Sequence, residues 1–281
     1  MKVSGFTFCR NAVKYDYPVV ESIRSVLPIC DEFIVNVGRC EDGTLDLIRS
    51  IGDPRVKIIE SVWDESLRKD GLIYSQQTNI ALARCTGDWA LYMQADEVMH
   101  EDDLPVLLDS MRRHVGHGSV KGLLFRYLHF VADYWSINPW FYHKAVRVVR
   151  NNGEVESCGD AVGFHYKPTR QYLQSGPQEW LAPSGARIFH YGWVKDPKTM
   201  LAKVKEQVSF HHDRTPPPDQ AKWFEAETFR YDDYAILKEF SGRHPGVMHP
   251  RIQASHRWAL RRNRWLNWKF YREVARRGFR G

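Results

Sequence analysis

The sequence has no apolar run long enough to span a bilayer, which excludes an integral helical membrane protein. It has no CxxC pair and no Cys/His spacing of a metal finger. Its five cysteines (Cys9, Cys30, Cys40, Cys85 and Cys158) are odd in number and widely spread, which points to reduced thiols in a cytosolic protein, not a disulfide framework. The opening segment, Met1 to Phe8, is too short and too quickly polar for a signal peptide. Behind it stands Cys9-Arg10-Asn11-Ala12, neither glycine-rich nor strongly basic, so the phosphate loop expected of a nucleotidyltransferase is missing. Repeats and low-complexity segments are also missing. Acid is scarce in one place only. Residues 251–281 carry ten Lys/Arg against the single acid Glu273, so the net charge of +6 divides into +9 there and −3 over the rest. That excludes a body built to hold nucleic acid and gives the tail an anionic partner.

What is present fits one large domain, or one domain with an appendage: 281 residues with 43% hydrophobic content. Apolar patterning predicts strands at Lys2–Phe8, Glu32–Val37, Val56–Val62 and Trp89–Met93. Helices are predicted between them, over Val19–Leu27 behind Pro18, over Thr44–Gly52, and over Ser75–Ala83. Strands alternating with helices at these lengths predict an α/β fold, an open, mostly parallel twisted sheet with helices on both faces. The second half is less regular. Strands are predicted at Lys121–Phe130, Lys144–Arg150 and Arg187–Val194, an aromatic loop at 132–142, a helix at Pro197–Phe210, and a stiff connector at Thr215-Pro216-Pro217-Pro218-Asp219.

The fourth strand ends in Gln94-Ala95-Asp96-Glu97, with more acid at Glu101, Asp102 and Asp103. In an open α/β sheet the carboxyl ends of the strands border the ligand crevice. A hard divalent cation there is held by one or two carboxylates together with diphosphate oxygens. The competing reading of Asp96 and Glu97 is a cap on the next helix.

The order of these pieces resembles the family 2 glycosyltransferases, which have the GT-A fold. A first strand ends near an Asn, here Cys9-Arg10-Asn11. A second leads to Asp42-Gly43-Thr44. A helix carries Gln77-Thr78-Asn79, and Gly87-Asp88-Trp89 leads into Gln94-Ala95-Asp96-Glu97. The resemblance continues more loosely to His190-Tyr191-Gly192-Trp193. It implies a nucleotide-sugar-binding half at 1–120, an acceptor-binding half of the same domain at 121–245, and a basic helical tail at 246–281. It also implies a nucleotide-sugar donor held by Arg10, Asn11, Asn36, Gly38, Asp42, Gln77, Asn79, Gln94 and Ala95, and a cation (Mn2+ or Mg2+) on Asp96 with His190 as a further ligand. The reaction implied is inverting transfer to a saccharide or lipid-linked acceptor, with a base deprotonating the acceptor hydroxyl. The chain departs from the family at Gln94, where an acid is usual, at Thr78, where Arg is common, and at Val37-Gly38, which lacks the acid that contacts the base.

Several residues keep two readings. The general base is sought among Glu154, Glu156, Asp160 and Glu179, with Asp160 first and Glu179 second. His190 is a metal ligand or a hydrogen-bonded core histidine. Asp42 is a turn residue or a ligand contact, and Asn11 and Asn79 are ligand contacts or buried amides that hold loops. Tyr134, Trp135, Trp140 and Tyr142 stack on an acceptor sugar or cover the core. The tail, with Arg261, Arg262, Arg264, Trp265, Trp268, Lys269 and Arg272, either meets the inner face of an anionic membrane or packs on the body through Leu266, Phe270 and Val274. The expected protein is thus a cytoplasmic, metal-dependent glycosyltransferase. The rivals are a catalytically degenerate protein that binds nucleotide sugar or glycan, and a nucleotidyltransferase.

Overall fold

The computed structural model describes residues 1–212, 218–231, 237–257 and 268–278. Its first part alternates as predicted: β1 (Val3–Cys9), α1 (Val19–Val26), β2 (Glu32–Gly38), α2 (Thr44–Arg49), β3 (Val56–Ser61), α3 (Leu72–Leu82) and β4 (Trp89–Tyr92). β1 lies parallel to β2 and β4, and β2 to β3. β2 and β4 are buried along their whole length and β1 along nearly all of it; β4 reads accordingly as an apolar run, while β1 alternates in sequence although both of its faces are covered. α1 buries Val19, Ile23 and Val26 at helical spacing.

The second part is β5 (Glu97–Met99), α4 (Leu104–His114), β6 (Gly122–Val131), β7 (Ser136–Ile137), β8 (Lys144–Arg150), β9 (Val155–Cys158), β10 (Gly163–Tyr166), β11 (Gln171–Tyr172), β12 (Leu181–Trp193), α5 (Pro197–His211), α6 (Pro218–Glu225), β13 (Lys238–Glu239), α7 (His249–Gln253) and α8 (Trp268–Arg277). The sheet continues from β4 through antiparallel β8 to β6, then β12, which runs parallel to β6 and antiparallel to β5. The open sheet with helices is therefore present, with its parallel run concentrated in the first four strands and a mixed second half. β9, β10 and β11 form a separate small sheet.

The clearest departure from the sequence reading is β5. A helix start is expected at Glu101–Asp103, and a 3-10 turn there does lead into α4 at Leu104, but Glu97, read as a cap or a supporting group, instead opens a strand. The cause is Arg147 on β8. Its Nε and Nη2 donate to the two oxygens of Glu97 at 2.8 and 2.7 Å, and both side chains are completely buried. Tyr127 Oη and the Gln94 N–H also donate to Glu97, at 2.7 and 3.1 Å. Glu97 is thus a structural anchor, neither cap nor ligand. The loop predicted at 132–142 contains the two-residue β7, which pairs with β6 and β13.

All five cysteines are free. No helix among the described residues is long and apolar enough to cross a membrane. Thr215, Pro216 and Pro217 of the expected connector, and Arg261, Arg262, Arg264, Trp265 and Leu266 of the tail, lie outside the described residues. Within α8, Phe270 is buried and Trp268 exposed, with Arg272 over the Trp268 ring at 4.9 Å.

Removing one partner of a fully buried ion pair leaves the other charge without compensation. Arg147→Ala is therefore expected to lower unfolding stability by about 3–5 kcal/mol in urea titrations. The same change at Arg112, whose bridge to Asp109 lies in solvent, should cost under about 1 kcal/mol. Equal losses at the two positions would contradict this account of β5.

Candidate functional site

A cavity of about 410 Å³ opens at the carboxyl ends of β1 and β4 and is closed on one side by α5. Arg10, Gln94, Ala95, Asp96, Asp160 and His190 line it. These are the predicted site residues that the structure brings together.

Asp96 stands in a tight turn. Gln94 O accepts from the Glu97 N–H at 3.0 Å and from Ser22 Oγ at 3.0 Å, and Asp96 O accepts from the Tyr191 N–H at 2.8 Å. Burial works against ionisation of Asp96. Lys203, which donates a hydrogen bond to it, nevertheless favours the carboxylate, and the carboxyl stays below its ordinary range. Of its two readings, the helix cap is ruled out by β5.

His190 lies opposite Glu97 on β5 and His129 on β6, because β12 pairs with both strands. His129 Nε2 is 2.7 Å from the carbonyl oxygen of Tyr142, so that nitrogen carries a proton. Burial and the neighbouring His190 lower the His129 pKa to about 2, so its Nδ1 has a lone pair. This Nδ1 sits 3.3 Å from His190 Nδ1, which must then be the donor. Burial lowers the His190 pKa as well, and the ring is neutral. The relay therefore leaves a lone pair on His190 Nε2, facing Asp96 Oδ1 at 3.7 Å. Two electron-pair donors turned toward each other in a buried place suit a cation. Room for it comes from Gly192, since a Cβ there would lie 2.4 Å from Asp96 Oδ2 and 2.9 Å from His190 Nε2. The donor set, one carboxylate and one imidazole, fits Mn2+ or Mg2+ with diphosphate oxygens completing the shell.

Another group, His100, Glu101 and Asp102, has metal-like spacing. Its atoms are already engaged: His100 Nδ1 accepts from the Asp102 N–H, Glu101 accepts from the Gly246 N–H, and Asp102 pairs with Arg243.

The helix predicted at Pro197–Phe210 is present as α5, but sequence reasoning missed that it contributes to the site. Lys203, Glu206, Gln207 and His211 line the cavity at helical spacing, while Met200, Leu201, Val204 and Val208 on the opposite face are buried in the core. Spacing of polar residues behind His190-Tyr191-Gly192-Trp193 was the available signal. Lys203 Nζ donates to Asp96 Oδ2 at 3.3 Å and to Gly192 O at 2.8 Å. At the far end Phe8, Trp63, Tyr74 and Phe210 pack ring against ring, with centroids 5.5–6.0 Å apart. Arg10 lies over Trp63 at 5.1 Å. Arg10 Nε and His211 Nδ1, both on cavity residues, are buried without a hydrogen-bond partner among the described residues.

Asp160 is held on a turn whose neighbours Gly159 and Ala161 have φ of 58° and 64°. Its Oδ1 accepts from the Val162 N–H at 3.3 Å, and its Oδ2 is 3.7 Å from His211 Nε2. Gln94 Nε2 reaches the same turn at Ala161 O, 3.3 Å away.

Other expected residues stand elsewhere. Glu179 precedes β12 at the end where Leu181 pairs with Gly122, while His190 pairs with His129 on the same strands. Nine residues of strand put it about 25–30 Å from His190, too far to act there. Glu154 is bound to Lys121, and Glu156 to His165. Asn36 Nδ2 donates to Gln77 O and Oε1, both at 2.9 Å, and Asn79 clamps the Ser157 N–H and O at 2.8 and 3.0 Å. These three amides hold α3 against β2 and β9. Gly38 makes room for Trp63, whose Nε1 would be 2.3 Å from a Cβ at that position. Asp42 accepts from the Lys14 N–H at 2.8 Å and from Thr44 Oγ1 at 2.6 Å, tying two loops together. Asn11, with φ of 55°, reaches Glu206 at 3.5 Å. Of the four expected stacking aromatics only Tyr142 lines the cavity; Tyr134 and Trp140 are buried, and Trp135 lies under Arg257.

Two outcomes test this geometry. Gly192→Ala is expected to weaken Mn2+ binding at least tenfold, by electron paramagnetic resonance titration, with a thermal midpoint within a few degrees of wild type; retained affinity would remove the site from Gly192. Lys195, buried with Nζ 2.8 Å from Asp16 O, has its pKa lowered by burial from 10.5 to about 7. Between pH 7 and 10.5 the unfolded chain binds the extra proton, so stability rises with pH across that window. The stability gap between Lys195→Met and wild type should shrink from pH 7 to 9.5 in urea unfolding.

Comparison with known proteins gives a family. A model described as glycosyl transferase family 2 matches residues 7–173. No curated protein matches. Among solved structures the chain is similar to S. aureus TarS, with TM-score 0.43 and 13% identity over 74% of this chain and 39% of that one. It is also similar to S. aureus TarS 1-349 in complex with UDP-GlcNAc, with TM-score 0.42 and 13% identity over 75% and 66%. A further likeness is to glucosyl-3-phosphoglycerate synthase from Mycobacterium tuberculosis in complex with Mn2+, UDP and phosphoglyceric acid, with TM-score 0.33 and 17% identity over 45% and 43%. The chain thus spans about two fifths of the TarS chain.

Proposed function

Because the chain belongs to glycosyl transferase family 2, we propose that it transfers a sugar from a nucleotide-sugar donor to an acceptor hydroxyl at this cavity. The observation that carries the reading is the pairing of Asp96 with the tautomer-fixed lone pair of His190 across the space left by Gly192. Asp96 and His190 would hold a divalent cation, which when bound supplies positive charge against the diphosphate of the leaving nucleotide. Arg10, with its unpartnered Nε beside Trp63, suits the nucleotide end of the donor. Gln94 replaces the usual acid and would meet donor hydroxyls or diphosphate as a neutral hydrogen-bonding group.

The acceptor side is assigned to Asp160, Phe141, Tyr142 and Trp193, which line the same cavity. Their aromatic faces suit a saccharide. Asp160 takes the proton from the acceptor hydroxyl, whose oxygen attacks the anomeric carbon from the face opposite the diphosphate, giving inversion. Glu179 has no part in this.

Thermal shift with UDP, GDP, dTDP and CMP and their sugars, each with Mn2+ and with EDTA, tests the reading. One nucleoside diphosphate should raise the midpoint with Mn2+ and lose its effect in Asp96→Ala. Asp160→Asn should keep that shift while turnover falls by about 10²–10⁴-fold. Binding without any turnover or donor hydrolysis would favour the degenerate binding protein. Release of pyrophosphate from a nucleoside triphosphate would favour the nucleotidyltransferase.

A further inference from the structure

Lys203 is nearly buried, and both of its hydrogen-bond acceptors belong to the proposed metal site, Asp96 Oδ2 at 3.3 Å and Gly192 O at 2.8 Å. The ring of Tyr17 packs below it at 5.1 Å. Lys203 sets its ammonium group directly against Asp96. Its side chain also faces the cavity, where Arg10 and Gln94 line the route a diphosphate would take. A divalent ion on Asp96 and His190 would therefore be placed beside an ammonium group among largely buried side chains. Like charges so close oppose each other unless an anion joins them. A nucleoside diphosphate is such an anion, with oxygens for the metal and for Lys203 at once.

We propose that Lys203 makes metal binding at Asp96 and His190 conditional on the nucleoside diphosphate: it opposes the cation in the empty cavity and shares the diphosphate with it in the filled one. The inference rests on the donor-site reading above. Its consequence is thermodynamic. Metal and nucleotide each strengthen the other's binding, by the same factor in both directions. The bare protein holds little metal, and free nucleotide leaves with its ion.

The test uses the full chain, wild type and the variants Lys203→Gln and Lys203→Arg. Mn2+ affinity is measured by electron paramagnetic resonance with and without UDP, or whichever diphosphate of the panel shifts the midpoint most. In wild type the diphosphate should tighten Mn2+ at least tenfold. In Lys203→Gln, Mn2+ alone should bind about tenfold tighter than to wild type. The diphosphate in Mn2+ should bind about tenfold weaker, and the coupling should fall by about tenfold, leaving the part that comes from direct contact between the metal and the diphosphate. Lys203→Arg should keep the wild-type pattern. A purely structural role for Lys203 would weaken both ligands together with the thermal midpoint, and that result overturns the inference. So does unchanged Mn2+ affinity in Lys203→Gln, or wild-type diphosphate binding that is as tight in EDTA as in Mn2+. If wild type binds neither Mn2+ nor any nucleotide of the panel, the donor reading itself has failed. If it binds both and Lys203→Gln couples them as wild type does, this inference alone has failed.

Discussion

The buried ion pair between Glu97 and Arg147 is the constraint on which the site depends. Glu97 follows Asp96 directly, and its two oxygens take four donors, from Arg147, Tyr127 and the Gln94 backbone. Arg147 is spread as widely, with Nη1 donating to the carbonyls of Val146 and Val162. One guanidinium thus joins β8, the turn at 94–97 and the segment behind Asp160. With every charge satisfied in a dry interior, the turn cannot rotate Asp96 away from the cavity without leaving a buried charge exposed to nothing. The same pair draws β5 onto β12, and that pairing sets His190 across from Glu97.

Around this anchor, polar groups divide into those fully occupied by the protein and those left with capacity. Gln77, Asn79 and Asp42 are in the first class, their acceptors and donors largely spent on backbone and on each other, and Asn36 spends its amide N–H groups on Gln77. Asp96, His190 Nε2, Arg10 Nε and Asp160 are in the second, and all of these residues face one cavity. Helix α5 supplies what the strand ends do not. Its apolar face packs on Val131, Phe229 and Tyr231, and its polar face brings Lys203, Glu206 and His211 to the opening. One helix therefore closes the core and furnishes the polar wall of the site.

Much of the architecture was legible in the sequence because its signals are local. Alternation marked β1, short apolar runs marked β2 and β4, and 3.6-residue spacing marked α1. Asp96 could be singled out because strand ends in such a sheet border the crevice, Asp160 because of its tight turn, and Arg10 and Gln94 through the family resemblance. The misplacements share a cause. Asn79 and Gln77 lie on a helix near the crevice, and Glu179 is an acid in the right half of the chain, but whether a polar side chain is free depends on partners far away in sequence. Ser157 for Asn79 and Arg147 for Glu97 are such partners. For Glu179 the deciding fact was which end of β12 it precedes.

By itself, then, the sequence determined the order of strands and helices, the burial of the parallel strands and the place of an acid at the end of the fourth, since these follow from periodicity and chain direction. Only the tertiary structure decided which of those groups keep unused bonding capacity. The His129–His190 relay, the space at Gly192, the Lys203 contact to Asp96 and the exclusion of Glu179 all depend on register and packing between segments tens of residues apart. No local pattern encodes them, because a proton on one histidine nitrogen is fixed by a carbonyl on a different loop.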